Sequence, residues 1–143
     1  MNMDWPTIWT NLVHLGVAYV LALPVAWDRE SQSHGIGLRT FPLVAVAACG
    51  YMLVGISVLD TTGAEARVLQ GLITGIGFIG GGAILKNNGS VAGTATAATI
   101  WITGLLGVAV AYHRYEVAVL MSLISFVTLR YVRHFKDDIG GDD

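Results

Sequence analysis

Four runs along this chain carry no charged residue: 7–27, 40–59, 68–85 and 91–112. None of them shows the regular polar stripe that gives a soluble helix its wet face. Each is close to the ~20 mostly apolar residues that a helix needs to cross a bilayer. A fifth run is weaker, because its charge-free core, 117–129, is short. Arg130 is placed to snorkel from its end, and Tyr115 and Tyr131 are placed at the two interfaces. A helix lying in the interface is the alternative there, but the polar face is too poor for one. The pattern predicts an all-α polytopic membrane protein, a bundle of five transmembrane helices at about 7–27, 40–59, 68–86, 91–112 and 115–132. These form one domain over 1–135, followed by an acidic tail over 136–143 that is expected to be disordered.

Composition points to the same solvent. Charged residues make up 13% of the chain, about half the share usual in soluble domains. Mean hydropathy is +0.63, so the lipid bilayer is the expected surrounding. The net charge of -2 gives no electrostatic footprint for nucleic acid. The start of the chain holds Asp4 and no Lys or Arg before the first apolar run, so that run is expected to be a retained anchor and not a signal peptide. With five spans, Arg29, Arg39, Lys86, Arg130, Arg133 and Lys136 fall on one side and Arg67 and Arg114 on the other. The excess of cations predicts an N-terminus outside and a C-terminus in the cytoplasm. The single cysteine, Cys49, excludes an intrachain disulfide and is expected to be a small buried residue.

The third run is dense in glycine. Residues 75–80 match G-x-G-x-x-G, but they lie inside an apolar span and lack the acidic residue expected about 20 positions later, so a dinucleotide loop is excluded. Gly71 and Gly75 form one GxxxG pair, and Gly77 and Gly81 another. Small residues let helix backbones approach in lipid. Gly71, Gly75 and Gly82 share one face and Gly77, Gly80 and Gly81 a second, which predicts a helix packed on two sides at the centre of the bundle. The alternative is a local break at residues 80–82 that frees carbonyls to line a polar path. Thr74 on this run, with Thr96, Thr99 and Thr103 on the fourth, would supply its hydroxyls. Hydroxyls bonded to their own backbone or across to the glycine helix are the expected reading; a hydroxyl-lined path is the rival.

Asp28, Arg29 and Glu30 close the first span, and Arg39 stands at the start of the second. They are expected to form a charged corner at the cytoplasmic interface, with Asp28 paired to Arg29 or Arg39, and to serve an ion-pair or partner-docking role. Two carboxylates beside two arginines make a poor metal site, so no metal is expected. Asn11 and His14 share a face in the outer half of the first span. A neutral, hydrogen-bonded His14 is expected, because a proton relay needs a second titratable neighbour that the sequence does not locate. No nucleophile–base arrangement is visible. The chain is expected to be no enzyme and to need no cofactor.

Asp28-Arg29-Glu30, GLRT at 37–40, ARVLQGLITGIGFIGGGAIL at 66–85 and VAGTATAATIW at 91–101 occur in this order. In these motifs the chain resembles the MgtC/SapB family of membrane proteins. The resemblance implies five helices in the bacterial inner membrane and an association with growth at low magnesium and stress adaptation. It also implies regulation of other membrane proteins, or self-association, in magnesium homeostasis; magnesium or small-solute transport between the third and fourth spans is the alternative. Only the membrane module is expected here, without the folded C-terminal cytoplasmic domain of founding-type members. Two positions depart from the family pattern: Ala26 stands where a glycine is usual, and Ala92 where a basic residue is usual.

Overall fold

The computed structural model describes residues 4–31, 37–87 and 90–139. Five helices account for most of them: α1 (Trp5–Glu30), α2 (Thr40–Val58), α3 (Thr62–Gly82), α4 (Thr94–Ala111) and α5 (Tyr115–Ile139). Among the described residues, α1, α2 and α4 are long and apolar enough to cross a membrane. The glycine-rich helix α3 opens on a polar turn with Glu65 and Arg67, and α5 ends on a charged stretch from Arg130 onward, which lowers the hydropathy of both.

Local chemistry sets the helix ends. Pro6 lies in the first turn of α1, where its missing amide costs little. The Thr61 hydroxyl accepts from the Ala64 amide at 3.2 Å and caps α3, and Glu65 in the first turn favours the positive end of the helix dipole. This cap starts α3 well before the expected residue 68. At its other end α5 runs on to Ile139, so 136–139 are helical and not the expected disordered tail; 140–143 lie outside the described residues. Strands β1 (Leu85–Asn87) and β2 (Ser90–Ala92) pair antiparallel, with Lys86 opposite Val91. Gly93 then turns the chain into α4 with φ +85, and a Cβ there would overlap the Ala83 carbonyl oxygen.

The centre of the bundle is α4. It packs against α1, α2, α3 and α5, and twelve of its 18 residues are buried. The core around it is built from small side chains: Ala18 and Ala22 of α1, Ala45, Ala48 and Cys49 of α2, Ala118 of α5. Larger groups, among them Met52, Leu106 and Val110, fill the gaps between these close-set backbones.

The expectation for the glycine helix is therefore corrected. Only Ile76 and Gly80 of α3 are buried, and α3 packs mainly on α2 and α4 at the edge of the bundle. A Cβ at Gly71, Gly75, Gly81 or Gly82 would meet nothing within 4 Å. Gly77 and Gly80 do face a neighbour, the Trp101 ring of α4, and at Gly80 also the Ala97 carbonyl. The close approach that glycine permits occurs instead at Gly107 of α4, where a Cβ would overlap the Ala45 carbonyl and lie 2.9 Å from the Cys49 amide nitrogen.

Candidate functional site

The charged corner forms where α1 ends. The Arg29 guanidinium (Nη2) donates to Asp28 Oδ2 at 3.1 Å, and both side chains are buried, 8% and 5% exposed. Neighbouring helix residues normally diverge, so this bond requires both chains to bend to the same side at the last turn. Arg29 suits the negative end of the α1 dipole and Asp28 does not. Burying a carboxylate there is costly unless it is paired, because charge leaves water. Next to the pair, the Ser31 hydroxyl donates to the Asp28 carbonyl at 2.8 Å.

Glu30 does a different job. Its Oε2 accepts from the Leu38 amide at 2.9 Å, tying the end of α1 to the entry of α2. Gly37 fits against it: a Cβ there would overlap the Glu30 carboxylate and backbone. Arg39 stands apart from this cluster. It is exposed, makes no ion pair among the described residues and lines a groove between α2 and α3. The structure thus brings Asp28, Arg29 and Glu30 together and leaves Arg39 outside.

The hydroxyl face is buried in α4 at Thr96, Thr99 and Thr103. Thr99 donates to Ala95 O at 2.6 Å and Thr103 to Thr99 O at 2.8 Å, so both are satisfied within their own helix. Thr74 of α3 is exposed and donates to Gln70 O at 2.9 Å. The structure does not bring it onto the α4 threonines as one lining: where α3 meets α4, Trp101 and Ala97 lie against Gly77 and Gly80. A cross-helix hydroxyl bond does exist, on a residue the sequence reading passed over. Ser122 of α5 donates to Leu21 O of α1 at 2.7 Å.

Over residues 15–137 the chain matches the MgtC family. This chain belongs to the MgtC family. It is 30% identical over 125 residues to an Escherichia coli K12 protein named putative magnesium transporter YhiD, covering 82% of this chain and 58% of the relative. Protein SapB of Bacillus subtilis is 29% identical over 150 residues, covering 99% of this chain and 65% of the relative. Protein MgtC of Brucella abortus is 34% identical over 105 residues, covering 71% and 44%. The chain therefore spans about half to two thirds of the length of these curated relatives. No solved structure matches it.

At the other end of this MgtC-family bundle lies a cluster that spacing alone could not show. His14 of α1 is buried, and its Nε2 sits 3.3 Å from His113 Nδ1, 99 residues away in sequence. His14 Nδ1 lies 2.7 Å from the Thr10 carbonyl oxygen, which can only accept. The Nδ1 hydrogen of His14 is thereby directed to the Thr10 carbonyl, and a neutral His14 then accepts at Nε2 from His113 Nδ1. Tyr115 stacks on the His14 ring, with centroids 6.1 Å apart. The second titratable neighbour of His14 therefore exists, whereas Asn11, expected to share its buried face, is exposed.

The backbone shows why His113 reaches it. The Arg114 amide donates to Ala109 O at 2.8 Å and the His113 amide to Val110 O at 3.0 Å. These two bonds are the Schellman ending of a helix, whose left-handed position usually holds glycine. Here His113 occupies it with φ 57, the one positive φ outside glycine among the described residues. A histidine in a glycine position was the available signal, but it is readable only once α4 is known to stop at Ala111.

Proposed function

We propose that this chain is a non-enzymatic MgtC-type membrane module that modulates other membrane proteins, or copies of itself, in magnesium and ion homeostasis under stress. In this reading it crosses the bacterial inner membrane five times, with its N-terminus outside and its C-terminus in the cytoplasm. The bundle order supports five spans. α3 and α5 lie along α4 with the same short connections as the three most apolar helices, and the cations gather at the α1–α2 and α3–α4 connections and the end of α5.

The observation that carries the proposal is the buried Asp28–Arg29 pair. An ionisable pair at the end of an apolar span is a functional feature by default, since apolar side chains of the same size would stabilise the fold as well. The buried pair fixes the end of α1 and Glu30 ties it to the entry of α2, so that the exposed Glu30 and Arg39 beside it form a defined polar corner for another membrane protein to engage. The name of the Escherichia coli relative suggests transport as the rival, but no group of three or more His, Cys, Asp or Glu side chains that could hold a metal ion is found among the described residues.

A growth assay at low magnesium tests this. Asp28→Ala is expected to lose function at normal membrane levels, and the exchange Asp28→Arg with Arg29→Asp to recover part of it. Unchanged growth with Asp28→Ala would refute the role of the corner. Magnesium flux into proteoliposomes holding this chain alone, abolished by Thr96→Val, would replace the modulator reading with transport.

A further inference from the structure

Between α2 and α3 the bundle surface opens into a groove of about 800 Å³. Its walls are apolar except at one end, where Arg39 and Thr40 stand; Tyr51 and Val68 mark the other end. From Arg39 to Tyr51 the groove follows α2 for about 18 Å at the helical rise. This is close to the depth of one leaflet, half of a hydrocarbon core about 30 Å thick. Gly71 and Gly75 form part of its floor, and the space that their missing side chains leave is unfilled.

We propose that this groove holds an acyl chain of one anionic phospholipid, with the lipid phosphate on Arg39. This inference rests on the five-span reading, since α3 must lie in the bilayer. Charge complementarity selects the occupant. Arg39 is the one cation lining the groove, it stands at the membrane-interface end, and no described carboxylate pairs with it. It also forms the N-cap of α2, where the helix dipole adds positive potential. Asp28 and Glu30, the acidic groups of the same corner, are engaged with Arg29 and the Leu38 amide. A transmembrane helix from a second copy is the competing occupant, since exposed glycines favour helix contact. The groove, however, ends near mid-depth and carries a cation at its mouth, the length and charge of one acyl chain with its phosphate.

Native mass spectrometry of the full chain, released from nanodiscs of phosphatidylglycerol or of phosphatidylcholine with matched chains, tests the site. One retained phosphatidylglycerol per chain is expected, with little phosphatidylcholine. Arg39→Gln should reduce retention of phosphatidylglycerol about fivefold, the effect of one cation at an anionic surface. Gly71→Leu with Gly75→Leu should abolish retention of both lipids, while Gly81→Leu, open but outside the groove, should not. Equal retention of the two lipids, or no change with Arg39→Gln, would overturn the proposal. Loss of a dimer in the Gly71→Leu, Gly75→Leu variant would overturn it in favour of a second copy. Cysteines placed at Thr62 and at Ala83 in a Cys49→Ala background, labelled from opposite sides, test the span itself. If α3 spans and lipid binding is unselective, the lipid site alone fails; if α3 does not span, both readings fail.

Discussion

Helices α3 and α4 are neighbours joined by the β1–β2 ribbon, yet they use their small residues in opposite ways. The seven glycines of α3 look like the packing seam, and most of them face open space. The two glycines of α4 are both occupied. Gly107 lies against the backbone of α2, and Gly104 receives the end of Ile76 from α3. A glycine lets a backbone approach but does not bring one there. The approach is decided by which helix is surrounded, and α4 touches all four others. The contrast also separates two roles: α4 holds the bundle together, and α3 presents a surface.

The strongest way to break this comparison is to add one carbon to α4. Gly107→Ala would force α2 and α4 apart, because its Cβ meets backbone that cannot rotate away. Overpacking of this kind costs about 1–3 kcal/mol or more. Thermal unfolding in detergent should show the loss, and Cys49, fully buried beside Gly107, should then react faster with a maleimide. Wild-type maleimide rates in this variant would mean that the α2–α4 contact is not closed. Gly104→Ala is expected to cost less, since it meets the flexible end of Ile76 and not backbone.

The corner and the turn after α4 sharpen the comparison at intermediate size. Asp28→Asn leaves the buried Arg29 beside a neutral amide and should destabilise by up to about 3 kcal/mol, seen as a lowered unfolding midpoint. His113→Gly removes the left-handed strain of about 1 kcal/mol at the end of α4 and also the contact with His14, so the net change should be small. His113→Ala keeps the strain, loses the contact and should be the less stable of the two. A histidine NMR spectrum in which His14 is unaffected by either change would exclude the ring pair.

The smallest effect is expected on α3. Gly71→Ala and Gly75→Ala meet no neighbour, so each should leave stability unchanged or raise it by up to about 1 kcal/mol through helix propensity. A clear destabilisation would show that α3 is covered by something, a second copy included, and would erase its distinction from α4.

The residues alone fixed much of this protein. Long charge-free runs marked the helical, membrane-embedded character, because an unbroken apolar surface has no other stable solvent. Ordered motifs marked the family, and Asp28 and Arg29 were visible as charges that an apolar neighbourhood must pair. Two acceptable partners for Asp28 stood within a short loop of one another, and only the bend of the last α1 turn selected Arg29 over Arg39. Glycine spacing showed where close approach was allowed, but the same spacing serves an open face or a sealed one. His14 carried no hint of His113, since a contact 99 residues long depends on α1 and the end of α4 meeting at one level. Sequence determined the solvent and the elements because these follow from local chemistry. The centre of the bundle, the pairing of its charges and the groove beside α3 depend on which surfaces meet, and only the packing of five helices decided that.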